Sequence, residues 1–109
     1  MIDWQRIREL KEEVGAEDFE EIATLFLQEV DGAMTQLDPD ANAQKMAEDL
    51  HFLKGGALNL GFEALSDLCQ AGERAALEGR LQDVDIAEVK RIYAASRAHF
   101  LAQSGTTPP

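Results

Sequence analysis

The residue types with the clearest chemical potential stand near the middle of the chain, in the stretch His-Phe-Leu-Lys-Gly-Gly at positions 51 to 56. Histidine has an unperturbed pKa of about 6.5, so a neutral imidazole is available as a nucleophile toward phosphorus near pH 7. Lys54 stands about one helical turn after His51, where an ammonium group can neutralise charge on a transferred phosphoryl group. These two side chains predict group transfer through histidine.

The two adjacent glycines that follow are unusual inside a helical pattern. Each costs about 1 kcal/mol relative to alanine in a helix interior. Clearance for a partner that approaches His51 is one explanation, and close packing between helices is the other. Apolar side chains on either side of the histidine offer a partner a rim to dock on. We therefore predict a partner-docking surface made of Phe52, Gly55, Gly56 and Leu58.

Amphipathic helices position this stretch. Apolar residues recur at three- and four-residue steps in five segments, and no strand-like alternation is present. The pattern predicts an all-α fold, an antiparallel four-helix bundle with a short extra N-terminal helix, over residues 1–103. Residues 104–109 are predicted to be a disordered tail. The predicted helices are Trp4 to Val14, Ala16 or Glu17 to about Leu37, Asp40–Asn42 to Gly61, Phe62 to about Glu78, and Asp85 to about Leu101.

The helix that carries His51 has an apolar stripe centred between Leu50, Leu53 and Ala57, and His51 falls to one side of that stripe. The histidine is therefore expected at the surface. Elsewhere the apolar periodicity assigns Leu25 and Leu77 to the core. Asp3, Asp40 or Asn42, and Asp85 are the expected helix caps.

The composition restricts the classes of function. The chain has 21 acidic and 10 basic residues, a formal net charge of −11, which argues against binding to nucleic acid or to an anionic membrane. With Cys69 as the one cysteine, without a signal-peptide pattern and without an apolar run of about 20 residues, a soluble cytoplasmic protein is expected. No His/Cys cluster has metal-ligand spacing, so neither a metal nor a cofactor of its own is expected.

The pattern His51-x-x-Lys54-Gly55, with Gly61 ten residues after the histidine, resembles the histidine-containing phosphotransfer (HPt) domain. The resemblance in helix order covers about residues 3 to 102. It implies that His51 carries a phosphoryl group on Nε2, that Lys54 steadies it and that Gly55 gives a partner clearance. Many members of the family have a small polar residue where this chain has Gly56 and Ala57, so one hydrogen bond to the phosphoryl group is absent here.

The resemblance also points to the next helix. In the chemotaxis branch of the family a glutamate there hydrogen-bonds the other nitrogen of the histidine, and the matching position in this chain is Glu73. Gln70, one turn earlier, is a weaker candidate for the same network. His99 stands near the end of the last helix, where a histidine favours the helix dipole, and is not expected to be a second phosphorylation site.

The function implied is a phosphorelay carrier without its own ATP site. It would accept the phosphoryl group from a receiver-domain aspartate and pass it to another, with Mg²⁺ in the partner receiver. Response-regulator receivers, a hybrid histidine kinase or both are the expected partners, and a monomer is expected. The alternative is the phosphotransfer domain of a chemotaxis-type or hybrid histidine kinase.

Two other functions fit less well. The dimerising helices of a histidine kinase usually have an acidic residue after the histidine and a nearby proline, whereas Phe52 follows His51 and the third helix has no proline. A purely structural helical adaptor leaves the paired glycines unexplained.

Overall fold

Five α-helices joined by short connections make up the part of the chain that the computed structural model describes, residues 2–104. They are α1 (Trp4–Val14), α2 (Ala16–Gln36), α3 (Ala43–Asn59), α4 (Glu63–Leu77) and α5 (Ile86–Ser104), with a 3₁₀ turn at Leu81–Asp83 before α5. No strand occurs within residues 2–104. The predicted all-α bundle with a short N-terminal helix is confirmed.

Side-chain caps begin three of the helices, as the sequence predicts. The carboxylates of Asp3 and Asp85 and the amide oxygen of Asn42 each accept a hydrogen bond from the backbone N–H three residues ahead, at 3.2, 3.0 and 2.9 Å respectively. Such a bond satisfies one of the N–H groups that a helix leaves free at its first turn. Of the two candidates before α3, Asn42 is therefore the cap.

Gly61 forms the turn between α3 and α4, the two helices that matter most for the site. Its φ is +70°, which favours glycine, and its carbonyl oxygen accepts a hydrogen bond of 2.6 Å from the backbone N–H of Asp3. A Cβ atom here would lie 2.7 Å from the Asp3 carbonyl oxygen. The turn is thus tied to the start of α1, and no residue with a side chain fits it without rearrangement.

The core runs along the bundle axis and includes apolar side chains from all five helices. Phe62 and Phe100 are its largest fully buried members, and their ring centroids lie 5.8 Å apart in an edge-to-face arrangement. The predicted core of α3 is confirmed, because Leu50, Leu53 and Ala57 are all buried.

Two of the predicted core residues are at the surface. Leu77 is 70% exposed and Leu25 is 53% exposed, so both assignments were wrong. At the end of α4 the buried positions are instead Ala75 and Ala76, which are small enough to let the helix lie close to its neighbours. These two leucines lie at the edge of the apolar stripe of their helices. An apolar residue at roughly helical spacing can lie at that edge as well as in the core.

The C-terminal boundary differs slightly from the prediction, since α5 includes Ser104. The rest of the predicted disordered tail, residues 105–109, lies outside the described residues, as does Met1. No helix within the described part of the chain is both long enough and apolar enough to cross a membrane.

Candidate functional site

The site lies on the hairpin formed by α3 and α4. The two helices are antiparallel about the turn at Gly61 and Phe62, and Phe62 stands midway between His51 and Glu73 in the chain. Residues at equal distances from the turn of a helical hairpin come to the same level. The register of the hairpin therefore places the glutamate beside the histidine.

Glu73 contacts both His51 and Lys54, the two side chains of α3 that the sequence singles out, with one carboxylate oxygen each. Its Oε2 lies 2.9 Å from His51 Nδ1, and its Oε1 accepts a hydrogen bond of 2.9 Å from Lys54 Nζ. The structure thus brings His51, Lys54 and Glu73 together as one cluster. The second candidate, Gln70, is exposed and makes no side-chain hydrogen bond to the cluster.

The pKa of Glu73 is lowered, and the largest cause is the hydrogen bond from Lys54; the hydrogen bond with His51 lowers it further. The carboxylate is therefore ionised at neutral pH and can only accept hydrogen bonds. Nδ1 of a neutral His51 must then be the nitrogen that carries the proton. This tautomer leaves the lone pair of Nε2 free.

The imidazole of His51 is accessible to solvent, whereas its two partners are mostly buried. The side chain of His51 is 67% exposed, against 24% for Lys54 and 18% for Glu73. Hydrogen bonds and charge pairs are stronger where water is partly excluded. The cluster thus combines an imidazole open to solvent with a partly buried ion pair whose carboxylate contacts Nδ1 of the ring.

The two glycines of α3 have different surroundings. A Cβ atom on Gly55 would meet nothing within 4 Å, whereas one on Gly56 would lie 2.7 Å from Val30 Cγ2 on α2. Close packing between helices therefore applies to Gly56, and clearance for a partner stays a prediction for Gly55. Gly56 is required by the packing of α3 on α2, and Gly55 leaves an open surface one turn from His51.

The apolar rim predicted around the histidine is at the surface, since Phe52 is 53% and Leu58 is 56% exposed. A shallow groove of about 540 Å³ runs between α3 and α4 beside His51, and Leu77 forms part of its wall. The exposure of Leu77, which the periodicity did not predict, therefore adds an apolar side chain to the surroundings of the site.

Cys69 is buried on α4, one turn before Glu73. Burial, assisted by the negative charge of Glu73, raises the pKa of its thiol to about 12. Because the thiolate is the nucleophilic form of cysteine, burial and the raised pKa both disfavour reaction at Cys69. The sequence placed this residue in the core, and the structure confirms that placement.

A helical bundle that displays an imidazole whose Nδ1 is held by a carboxylate and whose Nε2 is free has the features of a protein that carries a group on histidine. The family model of the Hpt domain matches residues 21–99, well over half of the chain. The chain therefore belongs to the Hpt-domain family, and its role is phosphotransfer in two-component signalling. No curated protein and no solved structure matched the chain.

Proposed function

We propose that this chain is a phosphorelay carrier that accepts a phosphoryl group on Nε2 of His51 from a receiver-domain aspartate and passes it to another receiver aspartate. The observation that carries the proposal is the His51–Glu73 contact, which leaves Nε2 of an exposed ring as the free nucleophile. Membership of the Hpt-domain family supports the same chemistry.

The transfer step balances without a further reactant. The Nε2 lone pair forms the N–P bond while the P–O bond of the aspartyl phosphate breaks, and the aspartate leaves as a carboxylate. His51 keeps its proton on Nδ1, so the ring gains positive charge as the bond forms. Glu73 lies 2.9 Å from Nδ1 and is placed to stabilise that charge. The reverse sequence returns the group to a receiver.

The partner supplies what the cluster lacks. In this proposal a receiver domain provides Mg²⁺ and the acidic pocket that holds the phosphoryl group. It docks on the exposed surface around His51 that includes Phe52, Gly55 and Leu58. Lys54 donates one hydrogen bond to Glu73 in the structure, and its ammonium group has further N–H donors with which, in this proposal, it would steady the phosphoryl group.

The alternative is that the chain is the phosphotransfer domain of a chemotaxis-type or hybrid histidine kinase. The contact between Glu73 and His51 favours the chemotaxis branch, to which the sequence resemblance attributes such a glutamate. The two candidates differ in donor. A carrier takes the group from a phosphorylated receiver, whereas the kinase alternative predicts faster labelling by a kinase catalytic domain with ATP. A monomeric state and a cytoplasmic location are parts of the carrier proposal.

The direct test follows radiolabel from a phosphorylated receiver domain to the chain. We expect label on the wild type that is labile in acid and stable in base, and none on His51→Gln. His99→Gln is the matched control, because His99 is the other histidine of the chain and is also exposed. Equal labelling of wild type and His51→Gln would refute the assignment of His51.

A further inference from the structure

Gly72 lies inside α4, immediately before Glu73, and forms no turn. It is buried, and a Cβ atom at this position would lie 2.9 Å from Cδ1 of Leu50 and 3.6 Å from Cγ1 of Val84. Leu50 is fully buried, so the end of its side chain cannot swing into solvent. The glycine therefore lets the backbone of α4 rest directly on the Leu50 side chain.

This close approach is adjacent to the reactive cluster on both helices. Leu50 precedes His51 on α3, and Gly72 precedes Glu73 on α4. The separation of the helices at the Leu50–Gly72 contact thus sets the distance that the Glu73 carboxylate must span to His51. The hydrogen bond at that point is 2.9 Å long, and such bonds weaken steeply when they are stretched.

We propose that Gly72 is a positioning residue for His51: by leaving room for Leu50, it holds α4 close enough for Glu73 to bind Nδ1. This rests on the proposed function in that the bound tautomer is the one that reacts at Nε2. A helix-interior glycine that costs stability relative to alanine is explained by this role.

Gly72→Ala tests the proposal, with the tautomer of His51 as the main readout. Imidazole ¹⁵N shifts and couplings measured by NMR above the pH at which the ring titrates report the ratio of the Nδ1–H to the Nε2–H form. Losing the contact with Glu73 is expected to lower that ratio about fivefold, toward the value in Glu73→Ala. The rate of phosphotransfer from a receiver should fall with it.

Leu50→Val/Gly72→Ala is the rescue variant, since valine lacks the Cδ atoms that the new methyl group would meet. We expect the double variant to have the tautomer ratio of the wild type. Leu50→Val alone shows whether the valine by itself changes that ratio. Gly32→Ala is the matched control for adding a methyl group to a helical glycine, because a Cβ atom on Gly32 would meet nothing within 4 Å. It should leave the tautomer unchanged.

A folded Gly72→Ala with the wild-type ratio would overturn the proposal, as would a lowered ratio that Leu50→Val/Gly72→Ala does not restore. If Gly72→Ala alone fails to fold, the double variant decides: the proposal requires it to fold with the wild-type ratio. The tautomer is measured on the unphosphorylated chain. A failure of Gly72 to position His51 is therefore distinguishable from a failure of His51 to accept the phosphoryl group.

Discussion

At the scale of single residues, one carboxylate contacts two side chains of the site, His51 and Lys54. Glu73 binds Lys54 through one oxygen and His51 through the other. The ammonium group of Lys54 is therefore already paired with a carboxylate in this structure. An ammonium group has three N–H donors, so Lys54 can donate to a further acceptor without giving up its bond to Glu73.

The lowered pKa of Glu73 predicts a specific pH dependence. A carboxylate with a lower pKa in the folded state stabilises that state above its unfolded pKa, about 4.3 for glutamate, and the contribution is lost as the pH falls through the folded pKa. Glu73→Gln should therefore have a smaller free energy of unfolding than the wild type at pH 7. The difference should shrink as the pH falls below about 4. Urea unfolding at a series of pH values measures it.

Lys54→Ala provides the control, because the Lys54 hydrogen bond is the largest cause of the lowered pKa. In a Lys54→Ala background the effect of Glu73→Gln should vary less with pH. A difference between Glu73→Gln and wild type that is constant from pH 7 to pH 3 would contradict this account of the cluster.

At the scale of the elements, one of the two adjacent glycines of α3 packs against a neighbouring helix and the other lies at the surface. Gly56 faces Val30 on α2, whereas Gly55 faces open space beside His51. Valine is stiff at χ1, so a methyl group 2.7 Å from its Cγ2 forces the helices to shift.

Alanine substitutions should separate the two roles. Gly56→Ala is expected to lower the free energy of unfolding by about 1–3 kcal/mol through overpacking. Gly55→Ala is expected to raise it by up to about 1 kcal/mol, since alanine is the better helix former and no neighbour is met. Urea unfolding measures both changes.

Phosphotransfer kinetics test the docking role of Gly55 separately. If the surface at Gly55 receives the partner, Gly55→Ala slows transfer from a receiver even though the chain is more stable. A stabilised Gly55→Ala with wild-type transfer rates would show that the partner does not approach there.

At the scale of the whole molecule, a polar cluster closes the bundle by joining α2 to α5. The carboxylate of Asp31 accepts hydrogen bonds from the Tyr93 hydroxyl and, at 3.1 and 3.0 Å, from Nε and Nη2 of Arg97. Burial and the neighbouring Asp31 raise the pKa of Tyr93, which stays protonated as the donor. These hydrogen bonds hold α2 against α5.

Arg97→Ala should lower the free energy of unfolding by about 1–2 kcal/mol, because it removes charge-assisted bonds from a partly buried carboxylate. Arg91→Ala is the matched control. Arg91 lies on the same helix but pairs with Glu88 three residues away at the surface. Its loss should have little effect on stability. Equal effects of the two substitutions in chemical denaturation would show that the link between α2 and α5 does not stabilise the bundle.

Much of this architecture follows from local signals in the chain. The bounds of α1 are those predicted, because a capping aspartate and a terminating glycine mark them. The exposure of His51 follows from its angle to the apolar stripe. Glu73 was found through the family resemblance, and the midpoint of the hairpin at Phe62 would have indicated the same residue from the spacing alone.

Other features depend on which surfaces meet in three dimensions. Three examples are the exposure of Leu25 and Leu77, the contact of Gly56 with Val30 and the link from Asp31 to α5. Each depends on where residues that are distant in the chain come to lie. Periodicity gives the direction of a side chain around its own helix but does not say how near the next helix comes.

The sequence by itself therefore determined the helices, their order and a histidine at the surface of the third helix with a lysine one turn away. Only the tertiary structure decided that Lys54 pairs with Glu73 and that Gly72 lets α4 rest on Leu50. The physical reason is distance. A hydrogen bond between helices forms or fails within a few tenths of an ångström, and that separation is set by the packing of the whole bundle.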